Sequence, residues 1–466
     1  MIPSSHPHIP VLFPKAFTMP LRLALCLLLL LTLGSGQAAA ARNRVYTPQV
    51  RSLVTVVNQD WLSPPVMRLH SDDMLHLSFD ELSHTYHRFV YRIEHCEADW
   101  TPSTGLFESD YLQGFNGLPI EDYENSRGTT VLYTHYRLDI PNEQCRLTLS
   151  GNYRLTVYDE DNDMEKVLEA DFMVSEESMA LSLEVSSNTD IDNHKSHQQA
   201  SMKLAYGQKK VSHLEEQIYT VVTQNDRQDN QVVNPRPNYI SQKGLEWNHQ
   251  RALIFDAGNE YRKFEVLAVS HPTLGVDRMW WDGEAYHAYL FQDEPRKNYL
   301  SDEDANGAFY LRNSDNFEND ITSDYVWVHY QRLSPTPCTQ GSLQIDGWWT
   351  TDADRSNYRM EYDEESQCYH ATLLQKQGYY SYQYLYADSE GQTRNEDSEG
   401  NYYQTENKYQ AYVYFREIGG RAWRLAAYRQ YRFDAHCPHR FTKVAWGGER
   451  WREDYFLERC RKRVTR

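Results

Sequence analysis

From residue 45 to residue 434 the chain repeats one local pattern. Short runs alternate Tyr, Val, Ile or Leu with polar residues, and turn formers separate the runs. Two examples are G-N-Y-R-L-T-V-Y-D at 151–159 and Q-K-Q-G-Y-Y-S-Y-Q-Y-L-Y at 375–386. A period of two matches a pleated strand with one buried face, not the 3.6-residue repeat of an amphipathic helix. Tyr is the preferred aromatic, with 35 Tyr against 16 Phe. Its ring covers apolar area while its hydroxyl stays at a wet edge. Many such strands predict broad amphipathic sheets and a protein that works by surface contact.

The first 41 residues read as a leader and signal peptide. Arg22 precedes an apolar run at 23–33, and small residues follow at 34–41, which suits cleavage after Ala40 or Ala41. The run is shorter than the ~20 residues of a membrane-spanning helix. Met19 is an alternative start, because residues 1–18 form a Pro/His-rich leader. Export predicts an oxidising compartment, in which Cys96, Cys145, Cys338, Cys368, Cys437 and Cys460 are candidates for disulfides. Nearest-neighbour pairing would join 96 to 145, 338 to 368 and 437 to 460. Six cysteines allow many other connectivities.

The strand runs group into three β-sandwich domains of immunoglobulin-like or early-set type, an all-β fold. The first spans 42–175, with strands at 52–57, 75–79, 88–94, 131–140 and 153–158. The second spans 176–323 and includes a clear strand at 217–224. The third spans 324–434, with strands at 325–330, 342–345, 369–374, 379–386 and 409–415. A tail at 435–466 carries nine Lys/Arg against four Asp/Glu. It has the aromatic content of a docking segment or of a loosely ordered extension.

A formal charge of −19 argues against a nucleic-acid or anionic-membrane binder. The sequence contains no C-x-x-C, H-E-x-x-H, G-x-S-x-G or P-loop. The D-E-D-A-N-G run at 302–307 matches half a calcium loop, but its twelfth position is Asn313 where a bidentate Glu is required. An acidic turn is the simpler reading. His95, Cys96 and Asp99 stand close enough in sequence to raise a thiol-nucleophile reading, which needs a base in reach and a depressed pKa. The expectation is no enzyme activity and no cofactor or metal.

Several stretches in order resemble the plug proteins of the type IX secretion system. They are L-H-L-S-F-D at 75–80, H-C-E-A-D-W at 95–100, Y-L-Q-G-F at 111–115, Y-T-H-Y-R-L at 133–138 and S-G-N-Y-R-L-T-V-Y at 150–158. They continue with Gln224-Asn225 and Arg227, G-N-E-Y-R-K-F at 258–264, D-A-N-G at 304–307, 324–328, K-Q-G-Y-Y-S-Y at 376–382 and T-E-N-K-Y at 405–409. The resemblance implies a periplasmic protein, peripheral to the outer membrane, that docks on the translocon β-barrel and closes its pore when no substrate passes. It implies no catalysis and no cofactor, while the charge speaks against nucleic acid and no stretch after the leader is apolar enough to span a membrane as a helix. Candidate partner-contact residues are Gln224, Asn225, Arg227, Trp348 and Trp349, on loops expected at exposed tips. The alternative is a carbohydrate-binding protein that uses Trp348 and Trp349 of the third domain, since exposed indoles stack on sugar rings. Trp280 and Trp281 form a second aromatic pair.

Overall fold

A computed structural model describes residues 43–339 and 341–435. These residues form three packed β-sandwiches with almost no helix, which agrees with the all-β expectation. In the first sandwich, one sheet runs in the order Arg44–Val45, Glu165–Ser175, Gly151–Asp159, Phe89–Cys96, Leu118–Pro119. The facing sheet runs Val50–Val57, Leu75–Glu81, Thr134–Ile140, Asp122–Asn125. Alternation sets the core: Leu75, Leu77 and Phe79 from one sheet meet Tyr153, Leu155 and Val157 from the other.

The second sandwich departs from the expected boundaries. One of its sheets is local, with Ala180–Ser186, His197–Ala205, Gly244–Trp247 and Tyr239–Ser241 in that order. The other places Ile218–Gln224 between Val232–Val233 and the far C-terminal strand Asn407–Phe415, which pairs in turn with Arg424–Phe433. Tyr409, Ala411, Val413 and Phe415 therefore enter the same core as Leu181, Leu183 and Trp247. The middle sandwich is discontinuous.

The third sandwich is inserted within it. Its sheets use Arg262–Val266, Val276–Trp281 and Tyr286–Leu290, which the sequence reading gave to the middle domain, together with Tyr325–Leu333, Cys368–Lys376 and Gly378–Ala387. The division at 323/324 and the assignment of 407–433 to the third domain are thus corrected. Adjacency in sequence groups strands by proximity, whereas hydrogen bonding joins Gln224 to Tyr409 across the whole insertion. The two crossings are tied together. Asn407 Nδ2 donates to the Ala257 carbonyl at 2.9 Å, and Gly258 N–H donates to Asn401 Oδ1 at 2.8 Å.

Every residue of Asn407–Phe415 is buried. One face lies in the middle core, and the other presents Tyr412 and Tyr414 to Cys96, Trp100 and Met173 of the first sandwich. A central strand covered on both sides loses the polar alternation of a half-exposed one. The signal-cleavage positions Ala40 and Ala41, and Cys437 and Cys460 with the rest of the tail, lie outside the described residues.

Candidate functional site

The motif stretches converge on the contacts between sandwiches. Asp80 of the first sandwich is fully buried and receives three donors. Lys376 Nζ of the inserted sandwich donates at 2.7 Å, the Tyr325 hydroxyl at 2.6 Å, and His135 Nδ1 lies at 2.6 Å. Lys376 is also fully buried (0% side-chain exposure), sits 4.1 Å from the Tyr133 ring centroid, and donates to the Asp320 carbonyl at 2.6 Å. Burial opposes charge on both partners. For Asp80 the three donors outweigh burial and hold the carboxyl below its usual range. For Lys376 burial prevails and lowers the ammonium below its usual value. Beside them, Asp324 accepts from Thr130 N–H and hydroxyl at 2.8 Å each and from Val131 N–H at 3.2 Å. Strands 75–81, 134–140, 325–333 and 368–376 thus meet in a polar lock between the first and inserted sandwiches.

The five residues read as partner contacts sit at a second junction, inside the molecule. Gln224 is 3% exposed and donates to the Asp256 carbonyl at 2.9 Å and to the Tyr409 hydroxyl at 3.0 Å. Asn225 bonds Asn407 Oδ1 at 2.8 Å and accepts Lys408 N–H at 2.8 Å. Arg227 is buried and pairs with Asp229 at 2.5 Å. Trp349 is 9% exposed, packs in the inserted core and donates to the Ser381 carbonyl at 3.0 Å. Trp348 is half-buried and donates to the Asn225 carbonyl at 3.3 Å. The structure brings Asn225 and Trp348 together, but as a joint between middle and inserted sandwiches. None of the five forms an exposed loop tip, because the long-range pairing of Ile218–Gln224 with Asn407–Phe415 buries the turn that follows.

The four described cysteines are free thiols, so the 96–145 and 338–368 pairings are corrected. Phe89, Tyr91 and Ile93 point into the first core that holds Cys145, and Cys96, an odd number of residues further on, turns to the opposite face. Cys338 packs against the inserted core, while Cys368 Sγ lies toward Gln292 and the Ser366 carbonyl. Burial pushes the Cys96 thiol up to about 12 and Cys145 up to about 11, the reverse of what a thiolate nucleophile needs. Neighbouring His95 faces the other way, within hydrogen-bond distance of the Ser103 hydroxyl and the Ser150 carbonyl, and burial lowers it to about 4.

In the acidic run, Asp302 pairs with Lys263 at 2.7 Å, and Asp304 accepts the N–H groups of Tyr261 and Asn306. Burial raises Asp304 to about 7 and nearby Glu260 to about 8. No group of three or more His, Cys, Asp or Glu among the described residues is placed to hold a metal ion. No helix among them is long and apolar enough to cross a membrane.

One exposed surface is strongly aromatic. On the outer face of the inserted-sandwich sheet that orders Val276–Trp281, Tyr286–Leu290, Tyr325–Leu333, Cys368–Lys376 and Glu361–Asp363, Trp280 is 52% exposed and lies opposite His287, which lies opposite Trp327, 37% exposed. The Tyr289 and His329 rings stack at 4.2 Å, and the Arg278 guanidinium sits 4.0 Å from the Tyr289 centroid. Sequence reading weighed Trp280 and Trp281 only as a second pair. The alternation around Trp327 in Tyr325–Leu333 was the signal that could have placed a third indole beside Trp280.

No curated protein matches the chain. The crystal structure of a hypothetical protein from Parabacteroides merdae ATCC 43184 is similar over 85% of this chain and 100% of that one, with 34% identity and a TM-score of 0.82. The family model for the first domain of the type 9 secretion system plug protein matches residues 50–176, the first sandwich. With its first sandwich matched by that model and its three-sandwich body shared with a relative along that relative's whole length, the chain belongs to the type IX secretion system plug protein family.

Proposed function

We propose that this protein is a non-enzymatic, periplasmic plug that docks on the outer-membrane translocation barrel of the type IX secretion system and occludes its opening when no substrate passes. The observation that carries this reading is the fusion of three sandwiches into one body. Domains on a plain linker move relative to one another by default. Here the middle sandwich encloses the inserted one, Asp80 and Lys376 lock the first to the inserted, and the Tyr414 hydroxyl bonds Asn152 Oδ1 at 2.8 Å across a packed cluster. Such a body can block a wide lumen by bulk alone.

The aromatic face around Trp280 and Trp327 is the exposed surface best suited to the centre of an interface, since Trp, Tyr and Arg carry most binding energy at protein contacts. The net charge of −19 would steer encounter with a basic lumen wall. The sugar-binding alternative relied on exposed Trp348 and Trp349, and both are packed between or within sandwiches.

The test is affinity purification of the tagged protein from the source envelope in mild detergent, followed by single-channel conductance of the recovered barrel. A large β-barrel should co-purify, its conductance should fall when the plug is added, and Trp280→Ala with Trp327→Ala should weaken both effects. Recovery of no barrel, or conductance indifferent to the protein, would refute the proposal.

A further inference from the structure

Where the three sandwiches meet they leave a cavity of about 1170 Å³, and each contributes a wall. The first sandwich supplies residues 53–56 of Val50–Val57, a strand at the end of its sheet with no further strand beside it among the described residues. An open strand edge is a template for another extended chain. The middle sandwich supplies Asp226, Tyr412 and Tyr414, and the inserted one supplies Trp348.

The charges on these walls are unequal. Arg227 is held by Asp229 at 2.5 Å, Arg355 by Asp346 at 3.1 Å, and Arg44 lies 3.7 Å from Glu169. Among the described residues Asp226 has no such cation. Its carboxylate accepts the Tyr412 hydroxyl at 3.3 Å. With protein around it, burial raises its carboxyl to about 7.

The backbone that presents Asp226 is strained. Asn225 and Asp226 have φ of 56° and 57°, consecutive left-handed residues held by the Asn225 bonds and by Asp226 N–H to Gln410 Oε1 at 3.2 Å. Gln410 is itself fully buried. Its oxygen accepts from the Thr223 hydroxyl and the Asp226 N–H, which ties the turn to the sheet. Thr223 lies across from Gln410 in the sheet, and Thr223 lines the cavity two residues from Val221 on the same strand.

We propose that this cavity binds an extended polypeptide segment bearing a Lys or Arg side chain, with Asp226 as the carboxylate that receives the cation. The free edge at 53–56 would take main-chain hydrogen bonds. Trp61, Trp348 and Tyr412 would cover the stem of the basic side chain, with cation–π attraction from the rings. The remaining wall carboxylates disfavour an acidic segment. This site is separate from the exposed aromatic face and does not depend on pore docking.

The probe is an acetylated, amidated peptide of about eight residues alternating Lys and Val, compared by calorimetry with its Glu/Val counterpart on the full protein. The Lys/Val peptide should bind and the Glu/Val peptide should not. Asp226→Asn, shown by circular dichroism to fold, should weaken binding by about tenfold or more, as expected when one partner of a desolvated charge pair is removed. A photo-crosslinking version of the Lys/Val peptide on the unmodified protein should label 53–56 or Trp348, which keeps the test open if the variant does not fold. Absence of Lys/Val binding, equal binding of the Glu/Val peptide, full affinity in Asp226→Asn, or labelling only outside the cavity would each overturn the proposal.

Discussion

Replacing Lys376 by Met should destabilise the protein more than any surface change, and the structure sets the size. Lys376 and Asp80 are both fully buried and 2.7 Å apart. Removing one partner of a buried pair leaves the other charge without compensation, at a cost of about 3–5 kcal/mol. Met is unbranched like the Lys stem and fills most of its volume, so the loss is electrostatic, including the ammonium over the Tyr133 ring, and not a cavity. Asp80 would retain the Tyr325 hydroxyl and His135, two donors that do not replace an ammonium. The double variant Asp80→Asn/Lys376→Met removes both charges and should recover most of the loss, because a buried pair is often worth little against neutral groups of similar volume. Urea unfolding followed by tryptophan fluorescence and far-ultraviolet circular dichroism measures both. The penalty in Lys376→Met should also be smaller near pH 5 than near pH 8, because the folded variant can neutralise Asp80 by taking up a proton. If the single variant lies within about 1 kcal/mol of the parent, or the double variant is as unstable as the single, the buried-charge argument fails.

Three further outcomes are expected. Glu260 is 4% exposed and its folded carboxyl is raised to about 8 by burial, so between its unfolded value and about 8 the unfolded chain ionises while the folded one stays protonated. Stability should therefore fall with rising pH across that window, by up to about 1.4 kcal/mol per pH unit from this group, and Glu260→Gln should flatten the slope. Cys96 and Cys145, with thiols raised to about 12 and 11 by burial, should resist iodoacetamide in the native protein and react after urea, as read by peptide mass spectrometry; rapid native labelling would contradict their burial. A variant in which 259–401 is replaced by a short Gly/Ser linker should keep the middle sandwich folded, since its core draws on no residue of the insertion; loss of cooperative unfolding and of strand signal would show that the core needs the insertion.

Much of the secondary structure was legible in the sequence because half-buried strands carry a period of two. Ala180–Ser186 alternates exposed and buried without a break, and the readings at 52–57, 75–79 and 153–158 fall inside observed strands. Two long strands were missed. Glu165–Ser175 is buried on both faces from Val167 onward, and Arg424–Phe433 mixes arginines and tyrosines with buried alanines, so neither shows plain alternation. The motif stretches were legible as strings, but not their role. Asp80, Lys376 and Tyr325 lie far apart in the chain, and nothing local says that they meet.

The sequence by itself determined the class of fold, since polar/apolar alternation and turn residues act over a few positions and need no knowledge of the partner. Only the tertiary structure decided which strands share a sheet. Ile218–Gln224 can hydrogen-bond to any free edge of suitable pattern, and the choice of Asn407–Phe415 is made by the core that forms beneath them and by the closure of the insertion between. That choice turned Gln224, Asn225 and Trp348 from surface loops into an internal joint, because burial depends on what packs against a residue and not on the residue alone.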